Sequence, residues 1–272
     1  LNTELLSNYG KIDILWYDVA RPMESHEGWN SLEMNQRLRA LQPDIIINNR
    51  SRLLEDFGTP EGQIRAQDRD WEACMTFNDI SWGYVDSERA RPYSYTPQRI
   101  LKMVQTCSER GGNLLLNIGP KPDGSVPDEA LEPLTTLGRW LAENGEATYG
   151  MLQKNVPRAF GGNGVCGASC KGKTIYLWNW IWPRDGEIII GGYCDAPKRV
   201  YLLKDGTPLD FEFDECRIII KNLPSDPPDT IAGVTVMAME FEDSLRYRFA
   251  SRYPQLHGGA LIDPRSASQK CF

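Results

Sequence analysis

The sequence predicts an α/β chain in which a partial (β/α) TIM-like barrel is followed by an antiparallel β-sandwich. Up to about residue 150, short apolar runs alternate with helical stretches, and this alternation indicates a parallel sheet covered by helices. After Gly150 the runs become short and β-like, separated by Gly, Pro and Asp-Gly turns, a pattern typical of antiparallel sheets. We therefore expect a barrel part at 1–150, a sandwich at 151–243 and a tail of uncertain order at 244–272.

Four helix-and-strand units make up the predicted barrel part. The first has a helix that stops at Gly10 and an apolar run that ends in Asp18, and a glycine directly after a helix is a common stop signal. Four units are about half of an eight-unit barrel. In chain order, the predicted elements are helix 3–9, strand 12–18, helix 31–41, strand 45–47, strand 71–77, helix 96–108, strand 113–118 and helix 128–143.

Short β-type runs make up the predicted sandwich. They contain no helical periodicity of useful length, and turn residues separate them. Such spacing predicts antiparallel strands. The runs lie at 174–179, 187–190, 199–203, 217–221 and 234–241.

Composition argues against some classes of partner. Hydrophobic residues make up 41% and charged residues 25% of the 272 positions, and no apolar run approaches the roughly 20 residues of a membrane helix. The formal net charge is -7, with lysines and arginines scattered along the chain, which argues against a phosphate-binding surface. We expect neither a membrane span nor a nucleic-acid partner. The chain begins without Met or a signal-peptide pattern, so we expect it to be a piece of a longer protein.

Cysteine and histidine content does not indicate a metal site. The seven cysteines form no pattern of zinc-site spacing, and only two histidines are available as further ligands. Most cysteines are expected to be small buried residues, and the odd number leaves at least one thiol free. We expect neither a metal nor a cofactor.

Polar residues follow the predicted barrel strands, at Asp18, Arg50, Asn78 and Asn117. In (β/α) barrels the chemistry lies at the carboxyl ends of the strands. Asp18 directly follows an apolar run, so its carboxylate is expected at the mouth of the barrel, where a sugar can approach. A helix or turn cap is the alternative role for this residue.

A second acid is expected near Asp18, since retaining hydrolysis of a glycosidic bond needs two carboxyl groups roughly 5 to 5.5 Å apart. Glu61 lies in the loop after the next strand, between a proline and a glycine, where an acid can project into a cleft. Glu55, Asp56 and Glu72 compete for the role, and any of these acids could instead be a solvated charge. Eight tryptophans and eleven tyrosines could pack against sugar faces or fill cores.

Three segments resemble the α-L-fucosidases of glycoside hydrolase family 29. The similarity covers about residues 1–150, and it implies the C-terminal half of a catalytic (β/α) barrel followed by a β-sandwich. The segments read IDILWYD at 12–18, WEACMTFNDISWGY at 71–84 and GGNLLLNIGPKPDGSVPDEALEPLTTLGRWLAENGEATYG at 111–150.

The resemblance implies roles for five residues. Asp18 corresponds to the catalytic nucleophile and Glu61, in a Thr-Pro-Glu segment, to the general acid/base. Trp16 would line the fucose pocket, and Arg50 would hydrogen-bond the sugar. Trp82 would pack against the apolar edge of fucose, with a core tryptophan as the alternative. The implied activity is release of α-L-fucose by double displacement without metal or cofactor, on a fucosylated glycan, in a secreted, periplasmic or lysosomal protein.

Two departures from the family leave alternatives open. Asp18 is followed by Val19-Ala20-Arg21-Pro22, where family members usually have a small residue, so linkage preference is in doubt. The earlier barrel strands of the family, which carry histidines, are absent from this sequence. A separate polypeptide or a homo-oligomer partner could supply them. The alternatives are a non-catalytic carbohydrate-binding protein, an inactive fragment, or a glycosidase acting on galactosides or other glycans.

Overall fold

The computed structural model describes residues 1–18, 22–86, 88–89, 95–151, 160–161, 166–214, 217–243, 245–246, 253–254 and 260–261. The segment from Val19 to Arg21, which departs from the family pattern, lies outside the described residues. So does most of the predicted tail, in which a short antiparallel pair is formed by Tyr253–Pro254 and Ala260–Leu261.

In the described residues of its first half, the chain forms four α-helices and five parallel strands. The strands follow one another in space as they do along the chain: β1 pairs with β2, β3 with β4 and β4 with β5, and an isolated parallel bridge between Asn48 and Phe57 connects β2 to β3. This order is that of a partial (β/α) barrel. The elements are α1 Asn2–Asn8, β1 Ile14–Leu15, α2 Ser31–Leu41, β2 Ile46–Ile47, β3 Phe57–Gly58, β4 Asp70–Thr76, α3 Pro97–Arg110, β5 Asn113–Asn117 and α4 Asp128–Asn144.

Strand β1 is shorter than the predicted strand at 12–18. Its ladder with β2 ends at the pair Leu15 and Ile47. Beyond that point the main chain of Tyr17 bonds to the side chain of Asn48 instead of to a neighbouring strand. The two strands also differ from the expectation of burial on both faces. Leu15 and Ile47 are buried against the helices, whereas their neighbours Ile14 and Ile46 are exposed.

Local signals explain the bounds of α3. Thr96 caps its first turn by accepting a hydrogen bond from the Arg99 amide, and Pro97 occupies the first helical position. Gly111 ends the helix in the left-handed conformation with φ 66, which glycine adopts without strain. The apolar side of α3 belongs to a buried cluster that also includes β4, with Ile100 and Met75 among its members.

The described residues of the second half, up to 243, form a sandwich of two four-stranded antiparallel sheets. One sheet has the order β10-β13-β8-β7 and the other β11-β12-β9-β6, with an apolar core shared between them. The predicted runs correspond closely to strands, although β6, β7 and β11 were not predicted. The strands are β6 Phe160–Gly161, β7 Cys166–Lys171, β8 Thr174–Asn179, β9 Ile188–Gly191, β10 Arg199–Leu202, β11 Asp210–Asp214, β12 Arg217–Lys221 and β13 Thr235–Glu240.

The two halves share a buried apolar contact. Trp140 of α4 packs against Trp178 of β8 with ring centroids 4.8 Å apart, and its indole N–H donates to the carbonyl oxygen of Val234 at 2.9 Å. Leu101 of α3 belongs to the same cluster. The last two helices of the parallel part therefore pack directly on one sheet of the sandwich. Across the residues described, no helix is long and apolar enough to cross a bilayer.

Candidate active site

The five residues proposed for the site all follow strands of the parallel sheet. Trp16 and Asp18 come after β1, and Arg50 lies in a single 3-10 turn, Asn49–Ser51, after β2. Glu61 follows β3 and forms an isolated bridge with Cys74 of β4. Trp82 lies in the loop after β4. Because the carboxyl ends of parallel strands meet at one edge, these side chains converge.

Arg50 is the centre of this group. Its Nη1 lies 2.9 Å from Asp18 Oδ1, and its Nη2 lies 2.6 Å from Glu61 Oε2. A guanidinium group is planar and always charged, so it can hold two carboxylates at fixed positions. Asp18 and Glu61 are therefore near enough for one side chain to contact both. A retaining mechanism needs two such carboxyl groups about 5 to 5.5 Å apart.

The Arg50 guanidinium is itself held from two sides. Its Nε donates to Thr59 Oγ1 at 3.0 Å, and the same hydroxyl donates to Asn49 Oδ1 at 3.0 Å. The Trp16 ring lies over the guanidinium, with its centroid 4.5 Å from Cζ, a distance at which a cation–π contact is favourable. The fork that spans the two carboxylates is therefore oriented before any ligand arrives.

Trp82 contacts the second carboxylate. Its indole N–H donates to Glu61 Oε1 at 2.9 Å, so both oxygens of Glu61 carry a hydrogen bond. The Asn117 side chain donates to the carbonyl oxygen of Trp82 at 2.8 Å. A Cβ at Gly119 would collide with the backbone of Gly83, so the loop packs closely on the turn after β5. The Trp82 ring itself remains exposed.

Glu72 of β4 is a third carboxylate at this edge of the sheet. Its Oε1 accepts a long hydrogen bond, 3.4 Å, from the Trp16 indole N–H. Burial raises the pKa of the neighbouring Cys74 thiol to about 11, and the charges of Glu72, Glu61 and Asp18 add to this shift while Arg50 opposes it. Cys74 is therefore a neutral thiol near pH 7, and we assign it no nucleophilic role.

The other competing acids are engaged elsewhere. Glu55 accepts hydrogen bonds from Asn35 at 2.6 Å and Arg39 at 2.7 Å. Asp56 accepts from Arg39 at 2.8 Å and from the Ile47 amide at 2.7 Å. Burial opposes ionisation of Asp56, but these hydrogen bonds outweigh it and lower the pKa of the carboxyl. Both acids tie α2 to the loop after β2, so Glu61 is the better candidate for the second acid.

The structure brings together all five predicted residues and adds others. Thr59 and Asn49 orient Arg50, Asn117 holds the Trp82 loop, and Asn48 binds the main chain next to Asp18. The sequence offered one signal for Asn117, its position at a strand end. Within the described part of the chain, no three His, Cys, Asp or Glu side chains are grouped as metal ligands. The absence of a metal and a cofactor from the reaction stays a prediction.

Comparisons with known proteins agree with the predicted family. The model of the family described as alpha-L-fucosidase matches residues 2–146. The human tissue alpha-L-fucosidase is 28% identical over 240 residues, which are 84% of this chain and 51% of that protein. The corresponding protein of Macaca fascicularis is 28% identical over 240 residues, covering 84% and 50% of the two chains.

Two solved structures that resemble this chain are also alpha-fucosidases. Alpha-L-fucosidase isoenzyme 1 from Paenibacillus thiaminolyticus superposes with a TM-score of 0.76 at 28% identity, covering 89% of this chain and 60% of that one. The Thermotoga maritima alpha-fucosidase superposes with a TM-score of 0.69 at 25% identity, covering 87% and 54%. These neighbours confirm the predicted fold class.

The extent of the matches defines which part of the family is present. The chain spans about half the length of the curated relatives it matches, and it corresponds to their C-terminal part. The family model covers more than half of the chain, and the arrangement of strands agrees with the solved structures. The chain therefore belongs to the α-L-fucosidase family.

Proposed function

We propose that this chain carries the catalytic carboxylates of a retaining glycoside hydrolase that releases α-L-fucose from glycoconjugates or oligosaccharides. The observation that carries the proposal is the double contact of Arg50, whose two terminal nitrogens bind Asp18 and Glu61. Membership of the family supports the choice of fucose. The partner is then a fucosylated glycan.

In the first step, an Asp18 carboxylate oxygen attacks the anomeric carbon while the bond to the leaving oxygen breaks. Glu61 gives its proton to that oxygen, so the leaving group departs as an alcohol. The product is an ester between the sugar and Asp18. In the second step, Glu61 takes a proton from water, and the water oxygen displaces Asp18 from the anomeric carbon. Two inversions give fucose with the original configuration.

Arg50 has to change partners during this cycle. A general acid must reach the leaving oxygen at the first step, whereas both oxygens of Glu61 accept hydrogen bonds, one from Arg50 and one from Trp82. Sugar binding between the two acids must therefore weaken the contact of Arg50 with Glu61. The released Nη2 is then available to a sugar oxygen. Trp16 and Trp82 provide flat apolar surfaces for the faces of the ring.

We also propose the division into a C-terminal half of a catalytic barrel at 1–150, a β-sandwich at 151–243 and a tail at 244–272. The change from parallel to antiparallel pairing between β5 and β6 supports the first boundary. The net charge of -7 and the scattered basic residues support the absence of a nucleic-acid partner.

The test is a hydrolysis assay with 4-nitrophenyl α-L-fucoside. It is run on the 272-residue chain and on a form extended by the N-terminal barrel part of the Paenibacillus relative. We expect the extended form to release fucose with retention, and Asp18→Gly to lose nearly all turnover and recover part of it with azide. Full activity in that variant would refute the role of Asp18. Glycan binding without turnover in the extended form would favour a carbohydrate-binding protein. Preference for an aryl β-D-galactoside would mean that the enzyme acts on galactosides instead of fucosides.

A further inference from the structure

We infer that Asn48 is a positioning residue that fixes the backbone carrying Asp18, an inference that rests on the proposed function of Asp18 as nucleophile. Asn48 lies at the end of β2, one strand away from Asp18 and two residues before Arg50. It acts through Tyr17, the residue directly before the nucleophile.

Both ends of the Asn48 amide bind the main chain of Tyr17. The Tyr17 N–H donates to Asn48 Oδ1 at 3.0 Å, and Asn48 Nδ2 donates to the Tyr17 carbonyl oxygen at 2.8 Å. The side chain thus reproduces the two-way pairing that a neighbouring strand would supply. Asn48 has 0% exposure, so water cannot take over these two bonds when the amide is removed.

The main chain of β2 does not supply these two bonds to Tyr17. The ladder between β1 and β2 ends at Leu15 and Ile47. The Asn48 N–H still donates to the Leu15 carbonyl oxygen at 3.4 Å, and at Asn48 the backbone also forms a bridge with Phe57 of β3, on the other side of the strand. The side chain therefore continues the contact with β1 beyond Leu15, as far as Tyr17. This division of contacts explains why an asparagine suits the position.

The Tyr17 side chain is anchored as well. Its hydroxyl donates to Asn35 Oδ1 at 3.0 Å, and Asn35 is buried and bonded to Ser51 Oγ at 3.2 Å. Burial raises the pKa of the Tyr17 hydroxyl to about 12, so it remains a donor across the working pH range. Tyr17 is thus held at its backbone and at its ring, and Asp18 follows directly from a fixed point.

One short turn therefore controls the nucleophile in two ways. Asn48 fixes the backbone before Asp18, and Arg50 binds the Asp18 carboxylate at 2.9 Å. Attack at an anomeric carbon depends on placing the oxygen within a fraction of an ångström, and a displacement of about 1 Å can cost about 100-fold in rate. Loss of the Asn48 amide should slow the attack by Asp18 while leaving the sugar-binding side chains in place.

The experiment compares Asn48→Ala with Asn179→Ala in the extended, active form of the protein. Asn179 is a buried asparagine of β8 whose side chain donates to the backbone oxygens of Leu177 and Thr235, so it matches the chemical change at a distance from the site. The attack step is measured as the rate of trapping by a 2-fluoro glycosyl fluoride. We expect about 100-fold slower trapping in Asn48→Ala, with KM changed far less, and no slowing in Asn179→Ala. Asn48→Asp, which keeps the volume and an acceptor for the Tyr17 amide, replaces Asn48→Ala if that variant does not fold.

A second measurement separates positioning from general damage. In Asp18→Gly the nucleophile is azide, so fixing residue 18 no longer matters. Adding Asn48→Ala to Asp18→Gly should leave the azide-rescued rate unchanged. Equal slowing in both backgrounds, or none in either, would overturn the inference while the role of Asp18 stands. Full activity of Asp18→Gly without azide would instead refute the proposed function, and the inference with it.

Discussion

The contact of Arg50 with two carboxylates makes Arg50→Lys the most informative substitution at the site. Lysine keeps the positive charge but carries a single compact ammonium group, which cannot span two acceptors as a guanidinium fork does. It can contact Asp18 or the region near Glu61, not both. The expected result is a lower kcat/KM with little change in folding stability, because the charge is retained.

The size of the loss follows from the exposure of the three side chains. Arg50 is 18% exposed, Asp18 68% and Glu61 42%. A hydrogen bond to a charged group contributes about 1.5–3 kcal/mol, and solvent near the two carboxylates screens the charges and favours the lower value. In the proposed cycle Nη2 of Arg50 moves from Glu61 to a sugar oxygen, and losing that bond at about 1.5 kcal/mol corresponds to about tenfold in kcat/KM.

The assay is steady-state hydrolysis of 4-nitrophenyl α-L-fucoside by the extended form, together with thermal unfolding of each variant. Arg37→Lys is the matched control. Arg37 pairs with Glu33 on the exposed side of α2 at 2.8 Å, and Glu33 is not one of the proposed site residues. Unchanged kcat/KM in Arg50→Lys would refute the importance of the fork. An equal loss of kcat/KM in both variants would mean that the effect comes from replacing an arginine with lysine at either position and is not specific to Arg50.

Three further predictions concern other contacts. Thr59→Val removes the hydroxyl that accepts from Arg50, and we expect a loss of a few-fold in kcat/KM with an unchanged melting temperature; a fully active variant would show that the guanidinium needs no such support. Trp140→Ala empties a fully buried site against the sandwich, and chemical denaturation should show a loss of about 3–5 kcal/mol, whereas less than about 1 kcal/mol would mean that the junction contributes little. Burial raises the pKa of Cys74 to about 11, so its reactive thiolate forms only as the pH rises towards that value. Mass spectrometry after iodoacetamide treatment at pH 8 should find Cys194, which is partly exposed, alkylated ahead of Cys74, and the reverse order would contradict the burial argument.

The sequence predicted much of the site because parallel strands bring their carboxyl ends together. That rule alone put Asp18 and Arg50 at one edge of the sheet, and the loop after the next strand supplied Glu61. The assignment of Trp16 and Trp82 came from the family resemblance. Tryptophan in an apolar run or an aromatic loop has no pattern that separates a binding role from packing.

Residues that support the site could not be predicted in the same way. Thr59 and Asn48 act through hydrogen bonds to partners 9 and 31 positions away along the chain. Which buried donor meets which acceptor depends on tertiary packing, and periodicity carries no information about it. The hydrogen bonds of these two residues are therefore findings of the structure.

Strand prediction failed where tertiary contacts override the local pattern. The apolar run at 12–18 indicated a long strand, but only Ile14–Leu15 forms a ladder, because Asn48 replaces the main-chain partner of Tyr17. Strand β11 was missed because Asp210–Asp214 alternates acids with phenylalanines at the edge of its sheet. Its phenylalanines contact the sandwich core while the acids face outwards, a pattern too short to separate from a charged loop.

The tryptophan pair between α4 and β8 has a spectroscopic consequence. Indole rings 4.8 Å apart and inclined at 36° are close enough for their electronic transitions to couple, which should produce a pair of far-ultraviolet circular dichroism bands of opposite sign. One ring belongs to the helical layer and the other to the sandwich. Loss of these bands during heating, before the helical signal declines, would therefore report that the two layers separate while each still retains its secondary structure.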